Sequence, residues 1–157
     1  MNRLLLSGDP QTLNLTFNDT NISGSGSAEI IVLDIGVDNL DNFPIQNPED
    51  AIYFGYNLSE YQITNSGGNI VRVKDSSSNN VYIAVNSNGI IGFADGQTTL
   101  SLDGITPQIN GITLTTTPIN TSLITLDSVP QSIMEAGTSS TKFTKIIDGG
   151  NASSTYL

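Results

Sequence analysis

The stretch IIGFADGQTTLSL, residues 90–102, has the pattern of two short β-strands joined by a tight turn. Apolar residues alternate with small or polar ones on both sides of Asp95 and Gly96, and alternation at a period of two residues is typical of half-buried strands. Asp-Gly is a preferred pair for the positive φ angles of a two-residue hairpin turn. With this pair at the centre of the turn, Phe93 is predicted to lie opposite Thr98. Asp95 is therefore predicted to turn the chain and to have no catalytic role.

The same alternation recurs along the rest of the chain. TLNLTFND, NIVRVKD and VYIAV all follow the period of a strand, and almost nothing follows the 3.6-residue period of a helix. Turn-forming segments such as Asn110-Gly111 separate these runs. Ile30 to Leu33 are apolar at every position, which predicts a strand in the middle of a sandwich. We therefore predict an all-β fold, a single antiparallel β-sandwich or jelly roll of about eleven short strands.

The 157 residues are enough for one domain with a core of useful size. We divide the chain into three parts. Residues 1–22 form an N-terminal strand segment that could pair with another molecule. Residues 23–136 form the sandwich core. Residues 137–157 form a C-terminal segment that could serve as a secretion signal or an assembly tail.

The charge is strongly asymmetric. The formal net charge is −10, and nine acidic residues but no basic residue lie between Arg3 and Arg72. Such a field repels phosphate groups, so we expect no nucleic-acid partner. The uninterrupted apolar run from Ile30 to Leu33 is far shorter than the ~20 residues of a spanning helix, so we expect no membrane insertion.

Catalytic motifs are absent from the sequence. Histidine, cysteine and tryptophan do not occur, which excludes the usual nucleophile and base pairs. We therefore predict that the protein is not an enzyme, although a pair of carboxylates distant in sequence could still act on a glycoside. The aromatic cluster of Tyr53, Phe54 and Tyr56 is predicted to pack in the core, and its alternative use is a platform for glycans.

A calcium site is the main candidate for bound metal. The segment LDIGVDNLDNF places five oxygen-bearing side chains within nine residues, and calcium prefers six to eight oxygen ligands at ~2.4 Å. The predicted ligands are Asp34, Asp38, Asn39, Asp41 and Asn42. The alternative is a solvated loop rich in Asp and Asn. A second acidic pair, Glu49 and Asp50 in NPED, is better explained as a turn.

Residues 60–102, EYQITNSGGNIVRVKDSSSNNVYIAVNSNGIIGFADGQTTLSL, resemble a β-rich segment of secreted bacterial proteins of the RTX, or hemolysin-type calcium-binding, group. The matching positions are Tyr61, Ile63, Thr64, Val71, Val73, Asp75, Phe93, Ala94, Asp95 and Gly96. The resemblance implies an extracellular or cell-surface protein, exported without an N-terminal signal peptide by a system that reads the C-terminal tail. S-layer and surface-fibre proteins belong to the same secretion class.

The chain departs from this group in its calcium repeat. A β-roll needs several stacked copies of G-G-x-G-x-D-x-U-x, so that adjacent turns share each ion. SGSGSAEII is the nearest segment, and Ala28 stands there in place of the aspartate. We therefore do not predict a β-roll.

These features predict a secreted structural subunit that self-assembles into a filament, sheath or surface layer. Edge-strand pairing is the expected mode of assembly, since it needs main-chain hydrogen bonds and no special side chains. Calcium is the candidate cofactor. The alternative is a binding module, either a calcium-dependent adhesin or glycan-binding domain or a phage fibre or decoration domain.

Overall fold

The computed structural model describes residues 2–5, 11–15, 20–24, 27–33 and 40–130, with the backbone alone described for strands β1 and β2, Thr20 and Asp41. These residues form thirteen strands: β1 Asn2–Leu5, β2 Gln11–Leu15, β3 Thr20–Ser23, β4 Glu29–Leu33, β5 Leu40–Ile45, β6 Ala51–Tyr53, β7 Gln62–Gly67, β8 Ile70–Lys74, β9 Asn80–Val85, β10 Gly89–Phe93, β11 Gly96–Asp103, β12 Thr106–Ile109 and β13 Ile112–Thr113. Two single 3₁₀ turns, Leu58–Glu60 and Thr121–Leu123, complete the regular structure. Neither of these two turns has the length or the apolar run needed to cross a bilayer. The predicted all-β single domain is confirmed.

The strands form two mixed sheets. Sheet A has the spatial order β1-β3-β5-β9-β8-β7, and sheet B has the order β13-β12-β11-β10-β6-β4-β2. Buried residues from both sheets belong to one apolar cluster, among them Ile22 and Phe43 of sheet A and Ile31 and Ile52 of sheet B. The two sheets therefore face each other across a common core, as in a sandwich.

The first six strands wind as a parallel coil that passes alternately through sheet A and sheet B. Asn2 pairs with Thr20 and Gln11 pairs with Glu29, so the first turn takes 18 residues on each sheet. The second turn takes 20 residues on sheet A, from Thr20 to its partner Leu40. Strands β9 and β10 continue the coil in the same parallel sense beside β5 and β6.

This winding corrects two predictions from the sequence. Antiparallel pairing holds only for β7, β8 and β9 and for β10 to β13, whereas the other six strand pairs are parallel. The first half also has the two-sheet parallel winding of a β-roll, which we had not predicted. The reason is that side chains alternate between faces in both kinds of strand, so the period of two residues does not reveal strand direction.

Apolar side chains stacked between turns line the interior of this coil. On sheet A, Phe43 pairs with Ile83, and on sheet B, Ile31 pairs with Ile52, which lies beside Ile91. All five side chains are fully buried. Fully burying one such side chain is worth about 1.5–3 kcal/mol. The apolar ladders thus give the coil a continuous core within these turns.

A hairpin interrupts the coil between its third and fourth turns. Strands β7 and β8 pair with each other and β8 then pairs with β9, which places the hairpin at the end of sheet A. Within β8, Val71 and Val73 are buried, whereas Arg72 and Lys74 are only partly buried. The predicted inward and outward faces of NIVRVKD are therefore confirmed.

The hairpin at residues 90–102 forms, but one residue out of the predicted register. Phe93 pairs with Gly96, so that Ala94 and Asp95 are the central residues of the turn. Neither has the positive φ angle of a type I′ turn, whereas Gly96 has a φ of 154°. The shift places Thr98 on the buried face.

A tertiary contact explains the shifted register. A Cβ atom at residue 96 would lie 2.6 Å from Leu126 Cβ and 2.8 Å from the Asp127 carbonyl oxygen. The glycine is therefore needed in the strand, where the chain passes close by. The Asn110-Gly111 turn has no such constraint, and its φ angles of 50° and 74° agree with the predicted tight turn.

Residues 114–127, which we call the closing segment, pack against the end of the sandwich formed by the antiparallel strands. Leu114 and Ile124 are buried in the core. The backbone N–H of Asn65 in β7 donates to a carbonyl of this segment, that of Thr115, at 2.7 Å. Ile119 in turn donates its N–H to the Ile63 carbonyl at 3.0 Å. The outer edge of β7 is thus paired rather than left open.

Candidate functional site

The first turn of the coil presents two sheet edges at one end of the molecule. Among the described strands, β1 has only β3 as a neighbour and β2 has only β4. An edge strand has N–H and C=O groups that its single neighbour does not use, and these can pair with an added strand. We call the edges of β1 and β2 together the open end.

The opposite end differs because the closing segment covers it. Besides the hydrogen bonds to β7, Gln97 and Asp127 exchange two backbone hydrogen bonds of 2.8 and 2.7 Å at the start of β11. Strand β13, at the edge of sheet B, is only two residues long. Short edge strands and covered edges are both means by which proteins prevent unwanted pairing. The described fold is therefore open to strand addition mainly at one end.

A buried carboxylate holds the second and third turns of the coil together. Asp50 is fully buried, and its Oδ1 accepts from the Glu29 N–H at 3.0 Å and from Asn47 Nδ2 at 2.8 Å. Its Oδ2 accepts from the N–H groups of Gln46 at 2.7 Å and Asn47 at 3.1 Å. Four donors thus surround one side chain. Glu49, by contrast, is exposed, so the NPED segment is a turn in which only Asp50 points inward.

Glu29 lies next to Asp50 and is also fully buried. Its carboxylate lies against the backbone of residue 24, where a Cβ atom would be 2.5 Å from Glu29 Oε2 and 3.2 Å from Gln46 Oε1. Glycine is therefore required at residue 24 for steric reasons. We call Glu29, Gln46, Asn47 and Asp50 the carboxylate corner. Because both oxygens of Asp50 already accept two hydrogen bonds each, we assign the corner a structural role.

The predicted calcium ligands fall mainly outside the described residues. Asp34, Asp38 and Asn39 lie outside them, and only the backbone of Asp41 is described. The Asn42 side chain instead donates from Nδ2 to the Ile22 carbonyl at 3.4 Å, which connects two turns of the coil. The ranges that the structure describes hold no group of three or more acidic side chains placed to bind a metal. The calcium site therefore stays a prediction.

Asp95 has a structural contact that its position in a turn did not predict. Its Oδ1 accepts a hydrogen bond of 2.8 Å from the backbone N–H of Leu58, the first residue of a 3₁₀ turn. The neighbouring N–H of Ala94 donates to the Tyr56 carbonyl at 2.9 Å. The tip of the β10–β11 hairpin is therefore tied to the segment that follows β6. This contact gives Asp95 a function in the fold.

Two of the three clustered aromatic side chains lie in the core, as predicted. Phe54 stacks on Phe93 with ring centroids 5.6 Å apart and an interplanar angle of 17°. Tyr61 packs against both rings, at 5.1 and 5.7 Å, and Tyr56 lies 6.3 Å from Tyr61. Pairs in this range of distance and angle stabilise cores beyond their buried area. These rings are not arranged as an exposed platform for glycans.

Tyr53 lies on the other, outer face of sheet B. It pairs with Val32 on one side and Gly92 on the other, and its hydroxyl donates to Gln97 Oε1 at 2.7 Å. A Cβ atom at Gly92 would overlap the Tyr53 ring and lie 3.1 Å from its Cγ. Burial raises the pKa of Tyr53 above its ordinary value of 10.0. We call Ile30, Val32, Ala51, Tyr53 and Ile90 the outer patch.

Sequence reasoning missed the carboxylate corner and the outer patch for different reasons. Asp50 follows Asn47 by three residues, a spacing typical of turns, but its burial depends on contact with Glu29 in another turn of the coil. The outer patch is visible only as the unbroken apolar run that starts at Ile30, which we attributed to the centre of a sandwich. Comparison of the chain with protein-family models, with curated proteins and with solved structures found no significant match.

Proposed function

We propose that the protein is a non-enzymatic subunit of an extracellular filament, sheath or surface layer, joined to its neighbours by strand addition. The observation that carries this proposal is the contrast between the open end and the end covered by the closing segment. A contact between two different surfaces of the same molecule does not close on itself in general, and it then produces a linear polymer. Export of the subunit is part of the proposal, on the resemblance of residues 60–102.

The open end suits strand addition because both of its edges belong to one turn of the coil. An added segment that followed the coil would pair first with one edge and then, after the bend, with the other. The edges are four and five residues long. Main-chain pairing of this kind provides affinity with little demand on side-chain type.

Residues 137–157 are the segment that we propose pairs with the open end of the next subunit. They contain Lys142 and Lys145, two of the five basic residues in the chain. The first 71 residues, which include the open end, contain nine acidic residues and only Arg3 as a basic one. Opposite charges would steer the tail of one subunit toward the open end of another.

Assembly of the purified full-length protein is the test of this proposal. We expect filaments or sheets by negative-stain electron microscopy and a concentration-dependent mass by light scattering, measured with and without calcium. Lys142→Glu combined with Lys145→Glu should raise the concentration needed for assembly by about tenfold or more, because each reversal turns an attraction into a repulsion. Lys74→Glu, the same change in β8 at the other end of sheet A, is the matched control and should leave assembly unchanged.

A protein that stays monomeric at high concentration in both conditions would refute the proposal. A monomer that binds immobilised glycans would instead support the binding module. If calcium alone decides whether assembly occurs, the predicted ligands Asp34 and Asp38 become the next positions to substitute.

A further inference from the structure

The outer patch on sheet B is more deeply buried than a solvent-facing sheet surface should be. Val32 is 2% exposed, Ala51 1% and Tyr53 6%. These residues point away from the core, because their neighbours Ile31 and Ile52 are the ones that face the other sheet. Something must therefore lie over this face.

The described residues account for only a small part of this cover. Ile30, Ile90 and Val129 are the partly buried apolar residues packed against the patch. The two isoleucines belong to the sheet itself, since each pairs with Ala51. Only Val129 comes from above, and one valine side chain is too small to bury a tyrosine ring of about 150–250 Å² together with its neighbours.

Val129 also shows where the chain runs. It is followed by Pro130, the last residue that the structure describes, so the chain continues from a point on the outer patch. The next six residues are QSIMEA, which contain the apolar pair Ile133 and Met134. An apolar pair three and four residues beyond Pro130 is well within reach of the patch, since an extended chain spans about 3.3 Å per residue.

We propose that residues 131–136 lie across the outer patch of their own chain, with Ile133 and Met134 completing the cover that Val129 begins. The sandwich then has a third layer on sheet B, and the folded core extends to residue 136. Residues 137–157 would leave the domain from this face. The contact lies within one chain and does not depend on assembly.

Disulfide trapping in the full-length protein tests this placement directly, because the natural chain has no cysteine. The pair Ile90→Cys and Ile133→Cys should oxidise within one chain. The control pair Ile105→Cys and Ile133→Cys uses a residue that is 76% exposed, in the turn between β11 and β12. A segment held on the patch should make the first pair form about tenfold faster than the second, because its effective concentration there is higher.

Equal oxidation rates for the two pairs would overturn the inference. A disulfide that joins two chains, seen as a dimer on a non-reducing gel, would also overturn it, because the patch would then be covered by a second copy. Ile30→Cys with Ile133→Cys gives a second trap in case the Ile90 variant does not fold.

A spectroscopic measurement provides an independent readout. In Ile133→Ser with Met134→Ser, the Tyr53 pKa should fall toward 10, because water regains access to the ring and its hydroxyl. Ile146→Ser with Ile147→Ser is the matched control in the tail and should leave the Tyr53 pKa unchanged. Carbon-13 NMR of labelled tyrosine, assigned with Tyr53→Phe, measures both values. A Tyr53 pKa that does not move in the first variant would contradict the placement.

Discussion

Replacing Asp50 with asparagine should strongly destabilise the protein, although the two side chains have nearly the same shape. Each Asp50 oxygen accepts two hydrogen bonds, three of the four from backbone N–H groups. Asparagine has only one oxygen, so in either orientation its amide nitrogen faces two donors. Two hydrogen bonds are then lost at a fully buried position.

The size of the effect follows from those two bonds. A hydrogen bond to a charged group is worth about 1.5–3 kcal/mol, so we expect the free energy of unfolding to fall by about 3–6 kcal/mol. That is a large share of the roughly 5–15 kcal/mol that stabilises a typical domain. Urea unfolding followed by circular dichroism measures the change. Asp103→Asn, the same substitution at an exposed residue, should stay within about 0.5 kcal/mol of the natural protein.

Amide hydrogen exchange locates the damage. The N–H groups of Glu29, Gln46 and Asn47 should lose protection in Asp50→Asn before the core strands do, because they are the donors to Asp50. A variant that is destabilised by less than about 1 kcal/mol, with these three amides still protected, would refute the account of the carboxylate corner.

Two further predictions concern the outer patch. Gly92→Ala should destabilise the protein by about 1–3 kcal/mol, because the new methyl group overlaps the Tyr53 ring, but should have little effect in a Tyr53→Ala background. A double-mutant cycle by urea unfolding measures the coupling, and equal effects in both backgrounds would contradict the packing. The raised pKa of Tyr53 makes stability depend on alkaline pH: it is fully present below the unfolded value of 10.0 and is lost as the pH rises through the higher folded value. Unfolding free energies at pH 9 and above pH 10 should therefore diverge in the natural protein and less so in Tyr53→Phe.

The strands themselves could be predicted because their chemistry is local. In NIVRVKD and VYIAV the alternation alone assigns the buried face, and in Asn110-Gly111 the residue pair alone assigns the turn. The order of the strands could not be predicted, because direction and partner depend on contacts between residues far apart in sequence. Asn2 and Thr20, for example, are paired without any similarity in the apolar pattern around them.

The hairpin at Asp95 shows the same limit at the scale of one residue. Asp-Gly favours the predicted turn, but the approach of Leu126 to Gly96 and the hydrogen bond from Leu58 to Asp95 favour a register shifted by one. Both contacts come from distant segments. The positions that resemble RTX proteins have structural roles in the described fold as well: Val71 and Phe93 are core residues, and Asp95 holds a turn.

The parallel coil also bears on how such a protein could change in length. Each turn contacts only the turns before and after it, as in repeat proteins. Inserting one further turn of 18 residues would add one strand to each sheet and lengthen the molecule by about 4.8 Å, while the two ends stayed as they are. Duplication of a turn and adaptation of the ends are therefore separate evolutionary events, and related chains could differ in size while keeping the same partners.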